Sequence, residues 1–292
     1  MKKNGWKQKK DQPTQKERVE QLIKQLDEGV SNFSYSPEDF KAILQMKALM
    51  PNYSFRNLIV AKAQLPRAQF IAPFKRWNEL GRYVKKGQQA IRIFAPRFVK
   101  AKDENSNEDL KLVGFVTVPV FDCSQTEGEP LPIDSLKIEL NGDSPEAREI
   151  INFAEKVAEK DDCPVSYGDA EGANGFYVPS QHRITVSDTL SINHRCKTLV
   201  HELVHSKVHR YDIRSSKKEK EVVAEGSAYI VCSYFGLDTS DYSFHYVKSW
   251  SKGDTESLMK YGSQICEISG KIIQEFQRLK EQQQSLQQLQ TA

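Results

Sequence analysis

His201-Glu202-Leu203-Val204-His205 is the stretch whose reading decides the fold, because it is an HExxH pattern. Positions i and i+4 lie on one face of a helix, so both imidazoles can bind a single Zn²⁺ while Glu202 reaches a water beside it. That geometry belongs to a hydrolase. A chain of this composition would hold an HExxH by chance roughly once in 100, so the flanking sequence decides. It predicts a helix over Ile192 to Arg210, with Leu199, Val200, Leu203, Val204 and Val208 as an apolar stripe and Ser191 or Asn193 as the cap. A helix this apolar is buried, and buried histidines need partners.

A third ligand is expected from a second helix downstream. Lys220 to Phe235 reads as such a helix, ended by Gly236, and carries Glu221 and Glu225 one turn apart. Either carboxylate can close the site, and the other can hold a ligand histidine through its free ring N–H. His209 is not the third ligand: three-histidine sites place the last histidine six residues after the second with a glycine between, whereas here the offset is four and residue 208 is Val208. It belongs at the rim or behind a ligand, and His182, His194 and His245 read as ordinary solvated or hydrogen-bonded histidines. Three protein ligands leave a position for water, whose proton Glu202 takes and later delivers to a leaving amine. Peptide-bond hydrolysis is the reaction class. Upstream, Gly175 to Pro179 and Ile184 to Val186 flank a polar turn and predict a hairpin. Its strand beside the motif helix is either a plain sheet strand or a surface for an extended substrate.

The other half of the chain has a different character. Between Arg67 and Lys102 stand ten Lys or Arg against one acidic residue, Glu79, although the whole chain is only +3. Lys75, Arg76, Arg82, Lys85, Lys86 and Arg92 are interleaved with Phe70, Phe74, Trp77 and Tyr83. Phosphate neutralisation plus stacking on aromatic faces is what single-stranded nucleic acid requires.

At 292 residues the chain is long enough for two cores. No stretch approaches 18 apolar residues, and the lysine-rich start lacks an apolar core, so neither a membrane span nor a secretory signal is expected, and the cytoplasm is the expected location. Five widely spaced cysteines without CxxC are read as free thiols. Thr14-Gln-Lys-Glu17 is a capping box that opens a helix closed by Gly29; Ser36-Pro37 opens a second and Ser54 a third. Phe74 to Leu80 predicts a short helix stopped by Gly81. Ala90 to Lys100 and Leu110 to Phe121 predict paired strands, and Asp122 to Pro132 reads as a linker. A helix from Ser144 or Asp143 to Val157 leads to the hairpin and the metal-site helices. An aromatic cluster follows in Leu237 to Trp250, then a last helix from Thr255 that fades into a glutamine-rich tail. The expected organisation is α+β in two domains: a basic arm over 1–13, N-terminal helices with a small antiparallel sheet over 14–121, a linker over 122–142, a helical domain with a short sheet and the HExxH helix over 143–280, and a tail over 281–292.

These motifs resemble a known family. Phe55-Arg-Asn57, Phe74-x-x-Trp77-x-x-Leu-Gly81-Arg82-x-Val84-Lys85-Lys86-Gly87, Ala90-Ile91-x-Ile93-x-Ala95-Pro96 and Val120-Phe121-Asp122-x-Ser124-Gln125-Thr126 resemble the N-terminal domain of ArdC-type antirestriction proteins. The HExxH helix, the Glu221 helix and Gly236 to Ser243 resemble the zincin-like metallopeptidase domain of the same proteins, related to the ImmA/IrrE-like zincins. The resemblance implies a single-stranded DNA-binding domain joined to a metallopeptidase domain on a mobile element, protecting incoming DNA from host restriction during conjugation. It implies His201, His205 and Glu221 as metal ligands, Glu202 as the catalytic residue and Glu225 behind a ligand histidine. Zn²⁺ is the implied metal, with Mn²⁺ or another divalent ion as alternatives. For DNA it implies a domain, within which Phe74, Lys75, Arg76, Trp77, Arg82, Lys85, Lys86 and Arg92 are the expected contacts. The implied partners are single-stranded DNA and a host restriction or regulatory protein as peptide substrate. Two other readings stay open: a DNA-binding shield with a structural metal, and an ImmA-like regulatory protease.

Overall fold

The computed structural model describes residues 14–31, 37–100, 110–131, 142–237, 239 and 255–290. Helix α1 (Gln15–Ser31) opens on the expected capping box, in which the Thr14 backbone N–H donates to Glu17 at 2.7 Å and the Glu17 N–H to Thr14 Oγ1 at 3.3 Å. Gly29 does not stop it. A Cβ there would stand 3.0 Å from Ala63 Cβ, so the glycine lets α1 lie close against α3 (Phe55–Gln64) while the helix runs on to Ser31. Ser54 caps α3, and α2 (Pro37–Leu49) completes the trio, burying Phe40, Ile43, Leu44 and Met46.

Strand β1 (Ile71–Ala72), short helix α4 (Phe74–Glu79) and β2 (Arg82–Val84) lead into the long antiparallel pair β3 (Ile91–Lys100) and β4 (Leu110–Asp122). Its inner end buries Ile91, Ile93 and Val120. Beyond a bulge between Arg97 and Phe98, its outer end leaves Phe98 and Leu112 about half exposed. The expected linker is ordered at its start. Asp122, wholly buried, accepts from the N–H groups of Gln69 (2.7 Å), Phe70 (3.1 Å) and Ser124 (2.9 Å) and from Ser124 Oγ (2.6 Å). With Gln125 it caps a 3₁₀ turn over Cys123–Gln125 that feeds β5 (Thr126–Gly128), the antiparallel partner of β2. The N-terminal sheet structure therefore extends to Gly128.

Helix α5 (Pro145–Lys160) starts at the cap Ser144 and lies beside a three-stranded sheet. The expected hairpin is β7 (Gly175–Val178) with β8 (Arg183–Ser187), and β8 also pairs in parallel with β6 (Val165–Gly168), too short a segment to show a period. Two buried helices follow, α6 (Ile192–Val208) and α7 (Lys217–Tyr234). The second begins three residues earlier than expected because Ser216 and Glu219 form a capping box, and Gly236, at φ +94°, turns the chain out of it. Of the aromatic segment 237–250, only Leu237 and Thr239 are among the described residues. Helix α8 (Thr255–Gln290) continues through the glutamine-rich residues instead of fading at 280.

The core does not stop at the boundary between halves. Phe55 of α3 is 1% exposed and lies over Gly262 of α8, where an added Cβ would meet the ring at 2.3 Å. Helix α2 likewise packs on α7. Among the described residues no helix is long and apolar enough to cross a membrane.

Asp122→Ala takes the shared acceptor from four part-buried donors, each such bond being worth about 1–3 kcal/mol when a charged acceptor is removed. The expected loss exceeds about 3 kcal/mol, read as a fall in the urea midpoint with an unchanged slope. A change below about 1 kcal/mol would show that Asp122 does not hold this corner.

Candidate metal centre

Ser191 caps α6 by accepting from the His194 N–H at 3.4 Å, which sets the phase of the helix. One face, Leu199, Val200, Leu203 and Val204, is wholly buried. The adjoining face carries a row at four-residue spacing: Lys197, His201, His205 and His209. Opposite this row stands α7, whose small buried residues Ala224 and Ala228 accompany two carboxylates one turn apart.

Glu221 faces both motif histidines. Its Oε2 lies 3.3 Å from His201 Nε2, its Oε1 3.5 Å from His205 Nε2, and the two Nε2 atoms are 3.1 Å apart. One ligand atom from each of the three residues falls within 4.8 Å of the others. Donors bound at about 2.0–2.1 Å to a tetrahedral ion stand about 3.3 Å from one another, so the spacing fits a small divalent cation. The donor set fits too, since it attracts positive charge. Burial alone would lower the His201 pKa, but Glu221 and Glu225 outweigh it and raise it to about 9. Burial likewise pushes Glu221 up, and the two histidines more than reverse this, holding it well below the usual carboxylate range.

Glu225 takes the far side of His201, with Oε1 3.1 Å from Nδ1, a close contact without a well-aligned hydrogen bond. The same oxygen accepts from Lys197 Nζ at 2.5 Å, both side chains being almost fully buried. Burial would raise the Glu225 pKa, but His201 and Lys197 hold it at about 2. Glu202 is 7% exposed and lines the same cavity, and burial raises its pKa over the opposing influence of the histidines. A carboxyl so placed suits proton transfer. Two members of the row have roles that the motif itself does not announce. Lys197 anchors Glu225, and His209, 5% exposed, sets its Nδ1 2.8 Å from His205 Nδ1. Burial, then the His205 and Lys220 charges, lower the His209 pKa to about 4, so its neutral ring can accept from His205.

The cavity holds about 950 Å³, with β7 as its second wall. Strand β7 is an edge, paired only with β8 among the described residues. Gly175 permits the approach, because a Cβ there would stand 2.7 Å from Thr198 of α6.

A family model for the N-terminal domain of anti-restriction factor ArdC matches residues 12–125. That part of the chain is similar to an ArdC N-terminal domain. The fold of the chain is similar to the crystal structures of the antirestriction ArdC protein from the R388 plasmid. The metal-free form has a TM-score of 0.55 at 19% identity, covering 86% of this chain and 97% of that one. The Mn(II)-bound form has a TM-score of 0.50 at 19% identity, covering 87% and 97%. An uncharacterized Bacillus anthracis protein, pXO2-81, is 27% identical over 326 aligned positions, which take in 94% of this chain and 55% of that protein. The chain thus spans about half the length of that relative.

The expected DNA contacts divide. Trp77 leaves the set: it is 0% exposed, its Nε1 donates to Phe121 O at 2.9 Å and its ring meets Phe70 edge-on at 5.4 Å. No base can stack on it. Arg82 has a structural role, binding Thr126 Oγ1 at 2.9 Å and the carbonyls of Thr126, Gly128 and Glu129, which fastens β2 to β5. Phe74, Lys75, Lys85, Lys86 and Arg92 are exposed, and Arg76 is exposed but paired with Glu79 at 3.0 Å. Tyr83, 61% exposed, joins Phe74 as an available aromatic face.

His209→Phe removes the acceptor behind His205 and is expected to weaken Zn²⁺ or Mn²⁺ binding about 10–100-fold, measured by chelator competition. Glu225→Gln should do the same through His201. Unchanged affinity in both would place these residues outside the metal site.

Proposed function

We propose that this chain is an antirestriction protein in which a single-stranded DNA-binding domain carries a metal-dependent peptidase, and that it protects incoming DNA from host restriction during conjugation. The observation that carries the peptidase half is the convergence of His201, His205 and Glu221 donor atoms within 4.8 Å, in a cavity that also holds Glu202 and borders the β7 edge. Mn(II) in the R388 protein supports a divalent ion at this centre, and two nitrogen donors with one carboxylate suit Zn²⁺ equally well.

When bound, such an ion supplies Lewis acidity toward a carbonyl oxygen and water. His201, His205 and Glu221 hold it, with His201 oriented by Glu225 and His205 by His209. Glu202 accepts a proton from the attacking water and passes it to the amine that leaves as the peptide C–N bond breaks. Its raised pKa brings it nearer the pH at which both transfers are efficient. The open β7 edge offers main-chain donors and acceptors to an extended segment of substrate, which could be a host restriction or regulatory protein.

For DNA, the exposed Phe74 and Tyr83 with Lys75, Lys85, Lys86 and Arg92 supply stacking faces and phosphate partners on one stretch of the N-terminal domain. This narrows the expected set by removing Trp77 and Arg82.

Glu202→Gln is expected to keep metal and fold while abolishing peptide cleavage, by at least about 10²-fold. Antirestriction that survives this change would favour the shield reading. On the DNA side, Phe74→Ala and Lys85→Ala/Lys86→Ala should each weaken binding of a single-stranded oligonucleotide. The lysine pair should also flatten the salt dependence, the slope falling by about 0.7 for each phosphate no longer neutralised. Trp77→Ala should instead lower stability by about 3–5 kcal/mol. Wild-type affinity in the first two variants would move the DNA site elsewhere.

A further inference from the structure

The charges around the metal cleft do not balance within it. Glu221 faces the motif histidines, Glu225 is paired with Lys197, and Glu202 lies buried beside them. Among the described residues these three carboxylates are the acidic ones that line the cavity. At the mouth stand Lys217, Lys218 and Lys220, on the first turn of α7. Lys217 and Lys218 are exposed and make no ion pair among the described residues, and Lys220 donates to the backbone carbonyl of Asp212. Glu219, the acidic residue among them, is turned to the Ser216 N–H at 2.6 Å and does not line the cavity. The positive end of the α7 dipole adds to the same field. The opposite wall, Ala173 to Tyr177 and Pro179, carries no charge.

We propose that this cleft selects acidic peptide segments, which pair their main chain with the free edge of β7 and direct carboxylate side chains toward Lys217 and Lys218. The proposal rests on the peptidase reading and names its substrate class. A nucleic acid strand is also anionic, but the sheet edge discriminates between the two. It presents alternating N–H and C=O groups at strand spacing, which a peptide backbone matches and a phosphodiester backbone does not. The lysines then act through charge complementarity, which chooses among peptides and speeds encounter.

The test uses the full chain carrying Glu202→Gln, loaded with Zn²⁺ or Mn²⁺, and two labelled peptides of about ten residues that differ only in Asp/Glu or Lys at alternate positions. Fluorescence anisotropy is expected to show the acidic peptide bound at least about tenfold more tightly at about 50 mM salt, with the preference shrinking at about 200 mM. Lys217→Glu/Lys218→Glu should abolish or invert the preference at unchanged metal content. Equal affinity for the two peptides overturns the proposal, as does a preference untouched by the charge reversal. Displacement of the acidic peptide by an unlabelled single-stranded oligonucleotide, lost on charge reversal, also overturns it and assigns the lysines to a nucleic acid strand. If the active protein cleaves neither peptide while selective binding persists, the peptidase reading falls and the charge selection stands.

Discussion

Glu225 is a carboxylate placed almost wholly out of water, and the C-terminal half is arranged around that fact. An isolated buried ion costs several kcal/mol, and only close, well-placed partners offset it. Glu225 has two, Lys197 and His201, both on α6 and one turn apart. A single carboxylate therefore fixes how far α7 has slid and turned relative to α6. That register also decides where Glu221 goes, since one turn along α7 brings it between the Nε2 atoms of His201 and His205. The centre is a by-product of helix register, and the register is set by a charge that cannot be left alone.

The row on α6 extends this logic in both directions. Lys197 lies one turn before His201 and His209 one turn after His205, so each motif histidine has a neighbour that bears on its orientation, Lys197 through Glu225 and His209 directly. Both are open to a reading of the sequence, because they repeat the four-residue spacing of the motif itself. Ligand patterns exclude His209 as a third ligand and leave rim and support both open, and they pass over Lys197 because lysine does not bind metal. The helices and their caps are legible for a simpler reason: capping boxes and apolar stripes are local, and Thr14-Glu17, Ser54 and Ser144 behave as their immediate neighbours dictate.

What is not legible depends on distant partners. Trp77 sits in a basic, aromatic stretch that looks made for nucleic acid, yet its indole N–H bonds a carbonyl 44 residues away. Asp122 begins a run of turn-forming residues that reads as a linker, but two of the hydrogen bonds its carboxylate accepts come from more than 50 residues back, at the approach of β1. Gly29 looks like a helix stop because glycine more often ends helices than joins them. In each case the local sequence suggests one role, and contacts distant in the chain impose another. The exposed residues that composition also flags keep a face to solvent: Phe74 meets Phe121 edge-on and Lys85 donates to the Ser124 carbonyl, yet both stay exposed, as does Lys86.

The ring of Phe55 resting on Gly262 has a consequence for folding. The first half contributes an aromatic knob and the last helix the gap that receives it, so neither half closes its apolar surface without the other. A chain severed between them would leave two fragments with an exposed apolar seam, prone to associate wherever another such seam is found. The intact chain should instead melt in one cooperative transition, in which loss of the N-terminal trio of helices takes α8 and the packing behind α7 with it.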